Sequence, residues 1–287
     1  MTPRPPAETD LESVGRPIVI ASHPRSGTHL LMDTFRLQFS ECRSWKWPGE
    51  SLGRLYMNID SLFDAAGPGL TEAQALRILR RSRRPLIKTH SLPGLANWPR
   101  AQQLREPPAR WLEWFTRSTD VCYVVRDGRS VMSSYHQYVR GFDASAGRSI
   151  GEFLREQRGD LSRLAAWSQH VRRWTSRPGV VVVRFEDLVA RPEEVITSLA
   201  ESFALTLRPG VARRVARRSR NRLEGRLSRL LSTRPESSAV LGAEGGAKPQ
   251  PWRESFTRED RAYFAREAGD LLIQHGYEES DAWVDGD

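Results

Sequence analysis

The chain of 287 residues is long enough to bury a core of its own and suits one large α/β domain, or at most two small ones. Its 39% hydrophobic and 28% charged residues are the balance of a globular, soluble protein, and no apolar run approaches the ~18 residues that a membrane helix needs. The formal net charge of +9 suits an anionic partner without specifying one.

The opening MTPRPPAETDLESVGRP has no apolar core, so it reads as a flexible leader over 1–15 rather than a secretory signal. Ile18, Val19 and Ile20 form a short apolar run between Pro17 and Ser22, the pattern of a buried parallel strand. His23 to Thr28 supply a turn, and from Thr28 onward the apolar spacing at Leu30, Leu31, Phe35 and Phe39 is helical. Strand, tight turn and helix in succession can present free backbone N–H groups to a phosphate or sulfate. Gly27 lets the backbone approach closely, Ser26 and Thr28 add hydroxyls, and Arg25 adds charge. An ordinary strand–turn–helix corner carries the same local pattern. An ATP-binding loop does not: it reads GxxxxGK[ST], whereas here the first glycine is missing and Thr28 and His29 follow Gly27.

Glu41 to Gly69 lacks a sustained period and reads as loop-rich; Thr71 to Arg81 follows as a short helix with Thr71 as its N-cap. Pro85 to Thr89 is the second strand, Ser91 to Pro108 is irregular, and Arg110 to Arg117 is helical with Trp111, Trp114 and Phe115 inward. Val121 to Arg126 is a strand that ends at Asp127-Gly128, and Arg129 to Val139 is a helix. Leu161 to Thr175 places Leu164, Trp167, Val171 and Trp174 on one helical face. Val180 to Phe185 is the next strand and Pro192 to Phe203 the next helix. This alternation predicts a parallel sheet with helices on both faces, whose ligands sit beyond the carboxyl ends of the strands.

Arginine is the default cation, since only Lys46, Lys88 and Lys248 among 44 basic residues are lysines. Arg208 to Arg234 is arginine-rich and reads as a solvated helix face, with no nucleic-acid-binding signature beside it. Ser232 to Gln250 reads as a mobile loop, and Thr257 to His275 as a capped helix stopped at Gly276. Cys42 and Cys122 show no metal-ligand spacing, so a reducing cytoplasm is the simplest compartment.

The turn with one glycine after Pro24-Arg25-Ser26 resembles the 5′-phosphosulfate loop of sulfotransferases that use 3′-phosphoadenosine 5′-phosphosulfate (PAPS). Three further segments resemble motifs of that family, in the family's order. Ile87 to Pro93, IKTHSLP, is similar to a KTH followed by Leu and Pro, with Ser91 inserted. Tyr123 to Tyr138 resembles the 3′-phosphate motif, an arginine at a strand end and a serine eight positions later, here Arg126 and Ser134. VVVRFEDLVARPEE resembles a strand that ends in FEDL. WRESFT, Trp252 to Thr257, is a weaker match to GDWK-x-x-FT and lacks the Arg-Lys-Gly that normally precedes it.

The resemblance implies a P-loop-like sulfotransferase fold, a single domain over 16–287, and transfer of a sulfuryl group from PAPS to a hydroxyl or amine without a metal. It makes His90 the catalytic base, a role suited to a side chain that titrates near neutrality. Lys88 and Arg25 would counter charge on the sulfuryl oxygens or the bridging oxygen. Arg25, Ser26, Gly27, Thr28 and His29 would hold the phosphosulfate, and Arg126 and Ser134 the 3′-phosphate. Phe185 would lie near the adenine, with Ser219 and Lys248 completing the nucleotide contacts, while Glu186 and Asp187 hold the strand–helix corner. The loop tryptophan that stacks on adenine in many relatives is Leu30 here.

The alternatives are a P-loop kinase-like phosphotransferase and a non-catalytic basic protein that binds a nucleotide or nucleic acid. The acceptor, a small molecule, saccharide or lipid, would meet Glu41 to Gly69, Ser91 to Pro108, Tyr135 to Arg148 and the loop before Trp252. Trp45, Trp47 and Trp98 offer flat apolar faces for it, or serve packing. The family's dimer segment KxxxTVxxxE corresponds to Arg253 through Ala262, without the valine or the terminal glutamate, which predicts a monomer. Neither nucleic-acid binding nor stable membrane insertion is expected.

Overall fold

Five buried residues in succession, Ile18–Ser22, form β1, the strand on which the computed structural model is centred. The structure describes residues 10–44, 55–63, 70–95, 109–141, 149–215 and 252–286. Helix α1 (Thr28–Gln38) follows β1. Next come β2 (Met57–Asn58), α2 (Ile59–Leu62), α3 (Glu72–Leu79), β3 (Leu86–Thr89), α4 (Ala109–Ser118), β4 (Asp120–Val125) and α5 (Gly128–Arg140). Helix α6 (Ile150–Arg155), the hairpin strands β5 (Gln157–Arg158) and β6 (Leu161–Ser162), and α7 (Arg163–Thr175) lead to β7 (Val180–Arg184). Helices α8 (Phe185–Ala190), α9 (Pro192–Ser202), α10 (Trp252–Ser255) and α11 (Arg258–Gln274) complete the described α-helices, and short 3-10 turns lie at Pro93–Leu95 and Asp281–Val284.

Among the described residues, five strands form one parallel sheet in the order β2-β3-β1-β4-β7. Both faces are buried, as the continuous apolar runs require. Ile18 and Ile20 of β1, with Cys122 and Val124 of β4, pack against α1 and α9 through Leu31, Phe35, Ile196 and Leu199. Val19, Ala21, Tyr123 and Val125 point to the other face, which α4, α5, α7 and α11 cover with Trp111, Met132, Trp174 and Leu272. The chain leaves β1 towards β2 and leaves β4 towards β7, so the two connections diverge at the carboxyl ends of adjacent strands. A crevice for a ligand opens at such a switch point. No helix among the described residues is long and apolar enough to cross a membrane.

Several sequence expectations are corrected here. The segment read as loop-rich contains β2 and α2, both too short to show a period. Helix α5 runs through Arg140, one residue beyond the expected helix, so the first part of the expected acceptor segment Tyr135 to Arg148 is helical. Leu161 and Ser162 pair with β5, and α7 begins at Arg163 because Ser162 caps it, its hydroxyl accepting from Ala165 N–H. Helix α6, capped reciprocally by Ser149 and Glu152, was not anticipated. The arginine-rich stretch is non-helical over 208–215, where the Arg208 N–H donates to the Gln38 carbonyl and its guanidinium to the Leu37 carbonyl, tying the backbone alongside the end of α1. The remainder of that stretch and the loop expected over Ser232 to Gln250 lie outside the described residues.

Candidate active site

Residues 23–28 turn the chain from β1 into α1 at the carboxyl edge of the sheet. Arg25 and Gly27 adopt left-handed backbone conformations, with φ of 72° and 102°. Gly27 is required twice over: its φ is strained for other residues, and a Cβ there would stand 2.4 Å from Cδ2 of Phe185. The Ser26 N–H donates to the His23 carbonyl, and the Ser22 and Thr28 hydroxyls lie 2.5 Å apart, closing the base of the turn. Helix α1 starts on Gly27, which has no side chain to cap the first N–H groups, and no acidic residue stands in its first turn.

The β4–α5 corner grips this turn from the side. Nη1 of Arg126 donates to the Arg25 carbonyl at 3.1 Å, and the Arg126 guanidinium lies 4.6 Å from the centre of the Phe185 ring. Nε of Arg25 donates to the Ser134 hydroxyl at 3.2 Å, and its guanidinium stands 5.0 Å from the Tyr138 ring. Burial pushes the pKa of both guanidinium groups down, for Arg126 against the opposing pull of Glu186 and Asp127. Cations partly stripped of water in this way favour an anion beside them. Glu186 accepts from the Asp127 N–H and the Tyr277 hydroxyl, bracing the corner.

Strand β3 brings Lys88 and Thr89 to the same edge, and His90 follows. Nδ1 of His90 lies 2.6 Å from the Ser22 carbonyl oxygen. A carbonyl only accepts, so Nδ1 carries the proton and Nε2 the lone pair. Burial first, and then the Lys88 charge, hold the His90 pKa well below the ordinary histidine value, leaving the ring neutral at physiological pH. His29, in the first turn of α1, is held down to about 3 by burial and by the charges of Lys88 and Arg25. Its Nδ1 lies 3.3 Å from the Tyr56 hydroxyl.

Arg25, Ser26, Gly27, Thr28, His29, Lys88, His90, Arg126, Ser134 and Phe185 thus meet at one edge of the sheet. Ser219, Lys248, Trp45, Trp47 and Trp98 lie outside the described residues. Sequence reasoning missed Asp60, whose carboxylate accepts from the Thr89 and Ser91 hydroxyls and the His90 N–H. It also missed His170, which joins the His90 carbonyl to the Tyr123 hydroxyl. The one available signal was a histidine on the buried face of α7 between Trp167 and Val171. Asp60 offered none, because α2 spans a single turn.

This geometry can be set beside known proteins. No curated protein matches the sequence. Among solved structures, the mouse sulfotransferase SULT7A1 complexed with PAP is 14% identical, covering 93% of this chain and 90% of its own, with a TM-score of 0.53. Retinol dehydratase in complex with androsterone and the inactive cofactor PAP is 15% identical over 90% of this chain and 80% of its own, with a TM-score of 0.47. A sulfotransferase from Alicyclobacillus acidocaldarius is 16% identical over 91% of this chain and 96% of its own, with a TM-score of 0.45. At these identities the likeness to SULT7A1 is one of fold. The sulfotransferase domain model matches residues 16–264, a span that holds the five-stranded sheet and the whole of the edge where the loop, the lysine and the histidine meet, so the chain belongs to the sulfotransferase domain family.

Proposed function

We propose that the protein moves a sulfuryl group from PAPS to an acceptor hydroxyl or amine, with His90 as general base. The observation that carries the reading is the protonation of His90. Its Nδ1–H is committed to the Ser22 carbonyl and Nε2 keeps a lone pair, beside the Lys88 charge, while Arg25 and Arg126 stand together at the same edge of the sheet. The residues fit the donor: hydroxyls, uncapped helix N–H groups and partly desolvated guanidinium groups suit a phosphosulfate and a second phosphate. PAP in the SULT7A1 structure supports the same choice of nucleotide. Bound PAPS supplies an activated sulfuryl group on a phosphate leaving group.

The chain's own residues do the rest. Nε2 of His90 takes the proton from the acceptor, which requires the neutral ring. Lys88 and Arg25 offset negative charge that grows on the oxygens as the sulfuryl group moves. Arg126 and Ser134 hold the 3′-phosphate, the group that distinguishes PAPS from ATP. Phe185, stacked on both Gly27 and Arg126, keeps the loop and the phosphate-binding corner in register.

Titration with 3′-phosphoadenosine 5′-phosphate, ATP and an oligonucleotide tests the reading, with tight binding expected of the first alone. Labelled PAPS supplied with extract fractions then identifies the acceptor. His90→Ala should lower label transfer by about 100-fold or more while keeping nucleotide affinity, because a general base acts in the transition state. Wild-type transfer by that variant would remove His90 from the mechanism.

A further inference from the structure

His90 sits in a turn that departs from the usual motif by one residue, Ser91, and the turn is held from two sides. On one side stands Asp60 of α2, at the β2 edge. Its Oδ1 accepts from the Thr89 hydroxyl at 2.7 Å and the Ser91 hydroxyl at 2.9 Å, and its Oδ2 accepts from the His90 N–H at 2.6 Å. The Ser91 N–H donates to the Thr89 hydroxyl at 3.0 Å, so each group in this knot has one consistent role. On the other side stands α7: His170 Nε2 donates to the His90 carbonyl at 3.1 Å, and Trp174 Nε1 donates to the Ser91 carbonyl at 3.0 Å.

We infer that Asp60 is the positioning residue of His90, holding the turn so that Nδ1–H stays on the Ser22 carbonyl and Nε2 remains the unprotonated nitrogen; this rests on the proposed role of His90 as base. The inserted Ser91 is part of the device, since its hydroxyl supplies one of the three donors and its carbonyl anchors the turn to α7. Three of the four lone-pair sites of Asp60 are given to donors of the turn, which is the work of a positioning group. Charge matters to the arrangement as well as shape. A carboxylate can accept from all three donors, whereas an amide of the same outline must present either an NH₂ to the His90 N–H or one to the two hydroxyls.

The test is Asp60→Asn, read by NMR on full-length protein labelled with ¹⁵N-histidine, with His90 signals identified by their absence in His90→Gln. In the wild type the His90 ring is expected as the Nδ1–H tautomer alone, and in Asp60→Asn as a mixture of tautomers with its amide no longer protected from exchange. The affinity for 3′-phosphoadenosine 5′-phosphate should stay within about threefold. Label transfer should fall by about tenfold to 100-fold, as small misplacements of reacting groups do, and should fall no further when Asp60→Asn is added to His90→Ala. A folded Asp60→Asn protein with an unchanged His90 tautomer would overturn the inference, and so would an equal loss of transfer in the His90→Ala background. The tautomer is read without turnover, so failure of the sulfuryl-transfer reading would appear separately, as wild-type protein that binds no nucleotide. Thr89→Val, which removes one donor and keeps the outline of the side chain, gives the same spectroscopic readout should Asp60→Asn not fold.

Discussion

Arg25 combines a charge with a backbone conformation that costs a non-glycine residue about 1–2 kcal/mol, and it is held there by Arg126 on its carbonyl and Ser134 on its side chain. Lysine in its place keeps the charge and loses the Nε–H bond to Ser134, a loss of about 1.5 kcal/mol, the low end for a charged donor because the site is only half-buried. Arg25→Lys should therefore keep transfer within about tenfold, whereas Arg25→Ala should lose far more, and steady-state rates at saturating PAPS decide between them. If lysine proves as damaging as alanine, the planar fork is what the loop needs. Gly27→Ala is expected to weaken 3′-phosphoadenosine 5′-phosphate binding by about tenfold or more, since φ is strained and the new Cβ meets the Phe185 ring. Adding Phe185→Leu should recover only part of the loss, because the clash is relieved and the strain is not. Full recovery in a calorimetric titration would show that φ is of no consequence there.

Between elements, the tie that matters most for the site runs through Arg129 in the first turn of α5. Its guanidinium bonds Asp127 and Glu278 and lies between the rings of Trp252 and Trp283, at 4.1 and 4.6 Å from their centres. The side chain is only 2% exposed, so removing it strands two carboxylates in a poorly solvated place. Arg129→Ala should destabilise the protein by about 3–5 kcal/mol. In a chain of this size that lowers Tm by roughly 10 °C. A drop of under 2 °C in differential scanning calorimetry would reduce the sandwich to a passive contact. The same helix carries Ser134, so the C-terminal elements and the β4–α5 corner are braced through one side chain.

For the whole molecule, the buried histidines set how stability responds to acid. Burial lowers the pKa of His23, His29, His90 and His170, to about 3 for His29 and about 4 for His170. Below pH 6.5 the unfolded chain therefore binds protons that the folded chain refuses, and stability falls as pH falls. Each such group contributes up to about 1.4 kcal/mol per pH unit, from 6.5 down to its folded value. Tm should be level from pH 8 to 7 and should decline between pH 6.5 and 5.5, before most carboxylates titrate. A Tm that stays level to pH 5.5 would mean that these rings accept protons in the native state.

The sequence alone determined the features that depend on near neighbours. Continuous apolar runs specified the buried parallel strands at Ile18, Leu86, Val121 and Val180, the 3.6-residue period specified α4, α7 and α11, and Thr71 and Thr257 marked helix starts through capping that spans three residues. The Pro-Arg-Ser-Gly turn, the histidine after Lys88-Thr89, and Arg126 with Ser134 eight positions on stood out for the same reason, because each is a local pattern beside a strand end. Tertiary structure alone decided what those groups do to one another. The Arg25–Ser134 bond spans 109 positions, the Asp60 carboxylate reaches His90 across 30, and His170 reaches it across 80. No local period encodes such contacts, since a hydrogen bond depends on where donor and acceptor lie after the chain has folded. The tautomer of His90 belongs to the same class: it was set when the parallel packing of β3 against β1 brought the Ser22 carbonyl within 2.6 Å of Nδ1.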